Sequence, residues 1–362
     1  MATCLIQMKR QTQIGAGMQT RRLTFSLLAA IGVCVCASFA EADEVEDFYR
    51  GRTLNIVVGH EVGTGFDVYS RALARHFGRF IPGKPTIGVQ NMQGASGMTA
   101  ANWLYNIAPK DGTVIATYTH SVIFEPLIGD ASAKFDPLKF SWIGNMDEST
   151  QVCLVAQAAG LARFEDLLTK ETVFGGSGAG TAGPLSQTPN AVKNLTGAKI
   201  KLVQGYRGSF DIKLAMERGE VSGICGLPTS TARTEWRDML ESGRIKILLQ
   251  LGRNKHPDLG NVAHVYDYAK TDEDRLVFDV IFGTQGLGRA YMGPPGVPAP
   301  RIAALRKALM ETVADPTFAA EAKSAQIDLT PLSGEAVEQL LRTFYATPKP
   351  AIERAKRAIR AN

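Results

Sequence analysis

Residues 54–79 read LNIVVGHEVGTGFDVYSRALARHFGR, and this stretch decides the fold. Leu54–Val58 is a short apolar run rich in β-branched residues, which predicts a strand. Gly59, Gly63 and Gly65 mark a loop. Asp67 stands at the start of a helix predicted to run to about Phe80 and to stop at Pro82-Gly83. A helix N-terminus leaves backbone N–H groups unpaired and carries a partial positive charge. Glycines let that backbone approach a ligand closely. The unit therefore offers a site for an anionic group.

The rest of the chain repeats the pattern. Strands are expected over Thr86–Gln90, Thr113–Thr117, Val173-Phe174, Lys199–Val203 and Ile245–Leu251. Apolar strand-like runs lie within Trp142–Gln157. Helices are expected near Met98–Asn106 and from Ser209 to Arg218. Met292–Pro298 reads as a rigid linker. A helical tail from Arg301 to about Arg360 is broken near Asp315-Pro316 and by Pro348 and Pro350. Alternating strands and helices predict an α/β fold with largely parallel sheets. With 362 residues the chain is long enough for two domains.

The first 42 residues read as a secretory signal peptide: Arg21-Arg22, an apolar run over Leu23–Val35, then small residues at the cleavage spacing. The run is too short for a comfortable membrane span. Its removal takes Lys9, Arg10, Arg21, Arg22 and Glu41. The 40 basic and 35 acidic residues become 36 and 34, so the net charge falls from +5 to +2. Nucleic-acid binding has no support from such a balance. Cys153 and Cys225 are the cysteines left outside the leader. In an oxidising compartment they are either a disulfide or two buried thiols; their separation does not suggest zinc.

No Asp or Glu occurs from Val68 through Lys110, and none from Thr172 through Phe210. These stretches contain or border all the glycine loops, and loops offering N–H donors away from carboxylates suit a carboxylate or phosphate. Thr64, Ser96, Ser177 and Thr181 add hydroxyl donors at strand ends, where open α/β sheets bind ligands. Arg71, Arg75 and Arg79 share a helical face and read as solvated. Arg207 lies beside Tyr206 between glycines and is the basic candidate for facing a ligand. Asp67 reads as a first-turn acceptor of backbone N–H bonds. His60 and His120 stand at strand ends that can line a cleft. Gly178–Gly183 matches GxGxxG but lacks the ribose-binding acid about twenty residues on. Gly176-Ser177-Gly178 fails the nucleophile-elbow pattern at Ala179. The histidines show no metal-ligand spacing.

Five segments, in order, carry a family resemblance: FYRGRTLNIVVGHEVGTGFDVYSRALARHF, VQNMQGASGMTAANWLYNIAPKDGT, FGGSGAGTAGP, GYRGSFDIKLAMERGEVSG and YMGPPGVPAPRIAALRKALMETVADP. Together the chain resembles a Bug-type solute-binding receptor of tripartite tricarboxylate transporters over nearly its whole mature length. The resemblance implies a two-lobed periplasmic-binding (type II-like) fold, with residues 43–147 plus 253–362 as the first lobe and 148–252 as the second. It implies a ligand shell of Gly63, Thr64, Gly65, Phe66 and Asp67, then Gly94, Ala95, Ser96 and Gly97. His120 is added from the third strand end. From the second lobe come Ser177, Gly178, Ala179, Gly180, Thr181, Tyr206 and Arg207. It further implies a periplasmic monomer that is not an enzyme, takes no cofactor or metal, and passes a small organic acid to membrane permease subunits. Ester hydrolysis through Ser177 and ligand presentation to a sensor are the alternatives. His60-Glu61 and Thr64 depart from the family pattern, as do Gly205 before the tyrosine and Arg207 for lysine.

Overall fold

The computed structural model describes residues 44–129, 131–177 and 184–360. The leader and the loop residues Gly178, Ala179, Gly180 and Thr181 lie outside the described residues. A short helix α1 over residues 44–49 precedes β1 (Thr53–Val58). Then come α2 (Gly65–Phe77), β2 (Thr86–Asn91), α3 (Met98–Asn106), β3 (Val114–Thr117), α4 (His120–Ile128) and β4 (Ser141–Asn145). β1 pairs in parallel with both β2 and β3. On α2 the buried residues include Tyr69, Ala72, Leu73, His76 and Phe77. That is the i, i+3, i+4, i+7, i+8 stripe of an amphipathic helix, and it packs on Leu54, Ile56 and Val58 of β1. Arg71, Arg75 and Arg79 hold the opposite, half-exposed face and pair with Asp67, Glu321 and Asp315.

A second run follows: β5 (Gln151–Ala156), β6 (Thr172–Ser177), α5 (Pro184–Thr196), β7 (Ile200–Tyr206), α6 (Ser209–Glu217), β8 (Gly223–Pro228), α7 (Thr229–Thr234), α8 (Arg237–Glu241), β9 (Ile245–Leu251) and β10 (Ala263–His264). Next are α9 (Asp272–Ile281), β11 (Ala290–Gly293), α10 (Ala299–Ala314), α11 (Pro316–Ser324), β12 (Leu332–Ser333), α12 (Gly334–Tyr345) and α13 (Lys349–Ala358). The strands form two six-stranded sheets, ordered β12-β4-β11-β3-β1-β2 and β10-β9-β5-β8-β6-β7. Parallel pairing dominates where strands alternate with helices. β11 runs antiparallel to β3 and β4, and β5 runs antiparallel to β8 and β9. This mixed α/β, two-lobed architecture is the expected fold.

The chain passes from the first sheet to the second between β4 and β5. The return differs from the expectation near residue 252. β10 pairs in parallel with β9, and Val265, Phe278 and Phe282 bury in the same cluster as Cys153 and Leu249. An apolar run that finds its core in the second sheet stays there, so the chain comes back only over 283–289. The tail breaks at Asp315-Pro316, where Asp315 caps α11 by accepting from the Phe318 N–H at 3.0 Å. Pro348 ends the preceding turn. Pro350 does not break a helix; it sits in the first turn of α13, where a missing N–H costs nothing. Ala351 and Ala355 of α13 pack on Val277 and Val280 of α9, so the tail reaches back across to the second sheet's helices. Cys153 and Cys225 are register partners on β5 and β8, joined as a disulfide. Among the described residues no helix is long and apolar enough to cross a membrane.

Candidate functional site

The two crossing segments run side by side. The Met146 N–H donates to the Arg289 carbonyl at 3.0 Å, the Arg289 N–H donates to the Asp147 carbonyl at 3.1 Å, and the Ser149 N–H donates to the Gln285 carbonyl at 3.0 Å. Gly288 makes this approach possible: a Cβ there would stand 2.3 Å from the Ser149 nitrogen. A cleft of about 470 Å³ opens between the sheets at this crossing.

The first-sheet wall is the loop between β1 and α2. Gly63, Gly65 and Phe66 line the cleft, with Tyr69 below them. Asp67 braces this loop from behind. Its buried carboxylate accepts from the Gly63 N–H at 2.9 Å, from Arg71 Nε at 2.9 Å and from Asn91 Nδ2 at 3.0 Å. Burial opposes its ionisation, but the hydrogen bonds from Arg71, Gly63 and Asn91 outweigh it and hold the carboxyl below its usual range. Gly63 has a φ of 84°, which a side chain rarely adopts.

Arg289 sits at the base of the cleft and is only 7% exposed. Its guanidinium lies over the rings of Phe66 and Tyr69. Nη1 donates to the carbonyl of Gly288 at 2.7 Å, while Nε is buried with no hydrogen-bond partner. Among the described residues no carboxylate comes within ion-pair distance of it. A buried cation with an unsatisfied donor is costly unless something pairs with it. Next to it, burial and then the charge of Arg289 push His60 and His120 down to about 4, so both are neutral near pH 7. His60 stacks on Phe66 at 4.5 Å, and its Nε2 is 2.6 Å from Thr119 Oγ1. Asp147 is buried beneath; burial, opposed by Arg289, pushes it up to about 7. Thr330 Oγ1 donates to it at 2.9 Å.

The second-sheet wall carries hydroxyls and apolar carbons. Ser149, Ser209, Ser230, Thr231 and Thr234 line it, with Leu185, Leu227 and Pro228 between them and Glu235 at the exposed rim. Several helix starts converge here: α2 at Gly65, α4 at His120 and α6 at Ser209. Their dipoles add to the positive potential of Arg289.

Gly63, Gly65, Phe66 and His120 are therefore predicted site residues that the fold brings together in the cleft, and Asp67 supports them. Others stand elsewhere. The Thr64 hydroxyl donates to the Glu61 carbonyl at 2.8 Å within the loop. Gly94, Ala95, Ser96 and Gly97 form the turn into α3, where Gly97 packs against Tyr118 beneath the first loop, away from the cleft lining. Ser177 lies at the end of β6, its carbonyl accepting from Ser186. Tyr206 packs on the second core. Arg207 is 90% exposed and forks onto Asp211, with Nε donating at 2.8 Å. Arg289 is the functional candidate that sequence reasoning missed. Its only local signal is a basic residue between a glycine turn and an apolar strand, QGLGRAYMG; its burial depends on α2, far away in sequence.

Two α/β lobes around a cleft, crossed by two paired segments, are the architecture of periplasmic binding proteins. Solved structures match it over most of the chain. A TctC solute-binding protein from Polaromonas is 17% identical, with a TM-score of 0.65, covering 84% of this chain and 99% of its own. Rpa4515 of R. palustris, solved with adipate, is 17% identical with a TM-score of 0.60, covering 84% and 97%. The periplasmic binding protein BugD is 18% identical with a TM-score of 0.58, covering 86% and 98%. Neither a protein-family model nor a curated protein matches the chain.

Proposed function

We propose that this chain is an extracytoplasmic solute-binding receptor of the TctC and Bug kind, which captures a small organic acid between its lobes for membrane permease subunits. Arg289 carries the reading. It is a buried cation at the base of an interlobe cleft, with one donor unused and no carboxylate of the described residues within ion-pair distance. A ligand carboxylate there would complete a charge-assisted hydrogen bond, and a guanidinium accepts carboxylates as a fork. The lobes follow the two sheets, with residues 253–282 going with the second. Closure is driven only by contacts that the ligand makes better in the closed state. The likeness to binding proteins, one of them holding adipate, supports the class.

A hydrolase using Ser177 or another hydroxyl is the less favoured reading, since Ser177 is not among the described cleft-lining residues. The Thr119–His60 pair is the remaining hydroxyl–imidazole contact in the cleft, and His60 is too weak a base to activate a hydroxyl well. A thermal-shift screen of the secreted protein against organic acids tests the proposal, because a ligand that binds the native state raises its melting temperature. At least one carboxylate is expected to do so. Turnover of small esters, or no response to any carboxylate, would overturn it.

A further inference from the structure

The cleft has a polarity that narrows the ligand, if the receptor reading above holds. Among the described residues that line it, the charged side chains are Arg289 at the base and Glu235 at the opposite rim. His60 and His120 are neutral neighbours of Arg289. Residues 178–183, Gly-Ala-Gly-Thr-Ala-Gly, bring no ionisable side chain by sequence. Apolar side chains also line the cleft, Phe66 beside Arg289 and Leu227 and Pro228 on the second-sheet wall. Its far wall is hydroxylic. Ser209, Ser230 and Thr231 hydroxyls bond to no other described residue. Thr234 Oγ1 donates to the Ser230 carbonyl at 2.9 Å and keeps its lone pairs for an incoming donor.

We infer that the ligand is a hydroxylated monocarboxylate: one carboxylate on Arg289, an apolar or aromatic body, and a neutral hydroxyl-bearing end against the Ser230–Glu235 wall. A second carboxylate at that end would find no cation among the lining residues, since the nearby Lys213 is held by the Glu235 carbonyl and Asp238, and it would approach Glu235. Such a like-charge approach is how a site rejects a competitor as well as by what it attracts. Hydroxyls instead find both donors and acceptors there. Glu235 lies outside the carboxylate-binding end, so it sets selectivity and not capture.

Matched trios of acids test this by calorimetry: ω-hydroxy, ω-carboxy and ω-methyl acids at three chain lengths, and 4-hydroxybenzoate, terephthalate and 4-methylbenzoate. In any trio that binds, the hydroxy acid is expected to bind roughly tenfold tighter than the dicarboxylate. Glu235→Gln is expected to narrow that ratio several-fold, chiefly by tightening the dicarboxylate, and Glu235 is exposed, so folding is not at stake. A dicarboxylate that binds as tightly as its hydroxy partner, or a ratio that Glu235→Gln leaves alone, overturns the inference while the receptor reading stands. Binding as tight in Arg289→Met as in the parent overturns this inference while the receptor reading stands, and no response to any carboxylate overturns both.

Discussion

The guanidinium of Arg289 stands 4.4 Å from the centroid of the Phe66 ring, and 4.8 Å from that of Tyr69. Two aromatic faces thus hold a buried cation in place without cancelling its charge, each contributing about 0.5–2 kcal/mol. The price is a buried charge left for the ligand to satisfy. Arg289→Met should therefore weaken carboxylate binding by about 1.5–3 kcal/mol, ten- to a hundred-fold or more. Unliganded stability should hold or rise, because an isolated buried charge is removed. Calorimetry and urea melts of the two proteins check both halves. Arg289→Lys should recover only part of the affinity, since an ammonium keeps the charge but not the fork.

Gly65 keeps the space beside that cation open. A Cβ there would lie 2.9 Å from Arg289 Nη2, closer than a real contact allows, and the far end of the arginine would have to swing. Gly65→Ala should cut carboxylate affinity several-fold. It should cost little in folding, because alanine suits the first turn of α2 better than glycine. Equal affinity in the two proteins would mean that Arg289 is free to re-aim.

Arg207 is the counter-case. It is paired with Asp211 four residues on and nearly wholly exposed, the geometry of a surface salt bridge within one loop and helix start. Such pairs contribute little, because solvent screens the charges and holding two long side chains costs entropy. Arg207→Ala should leave both melting temperature and carboxylate affinity close to those of the parent, and a marked affinity loss would place its side chain on the ligand after all.

These cases show what sequence could reveal. The first loop was legible because a strand, three glycines and an amphipathic helix are local signals: Gly63, Gly65 and Asp67 do what their positions demand. The α/β class, α3 and β9 were legible for the same reason. Arg207 stayed ambiguous because a glycine-flanked arginine looks alike whether its partner is a ligand or Asp211. The return crossing was misplaced because Val265 and Phe278 could be seen to want a core, but not which core. Arg289 was invisible because its burial is made by Phe66 and Tyr69, which reach it only through the tertiary fold.

Gly288 is where the crossing segments touch. Its φ is −58°, which any residue adopts, so conformation is not the constraint. Space is: a Cβ would meet the Ser149 backbone nitrogen at 2.3 Å and its Cα at 2.8 Å. Backbone cannot swing aside, so Gly288→Ala should destabilise by at least the 1–3 kcal/mol typical of overpacking. Gly208→Ala is the control, since nothing lies within 4 Å of its Cβ position. Urea denaturation of both variants should show a large loss for the first and little for the second.

Stability should rise with pH toward neutrality in the parent, more steeply in one cleft variant and hardly at all in another. His60 and His120 have folded values near 4 against an ordinary 6.5. Their contribution is whole above pH 6.5 and is lost as pH falls toward 4, by up to about 3 kcal/mol each. Asp147 is raised from 3.8 to about 7. Its contribution is whole below pH 3.8 and is lost as pH rises through 7, by up to about 4 kcal/mol. The windows overlap between pH 4 and 6.5, where Asp147 offsets one of the two histidines and the parent keeps a net loss of stability toward acid. Asp147→Asn removes the opposing slope, and its unfolding free energy should fall more steeply than the parent's from pH 6.5 to 4.5. His120→Gln leaves His60 and Asp147 to cancel, and its stability should be nearly flat from pH 4.5 to 6.5. Urea melts at pH 4.5, 5.5, 6.5 and 7.5 read these slopes directly, and parallel profiles for all three proteins would show that the cleft's buried groups do not titrate as their surroundings require.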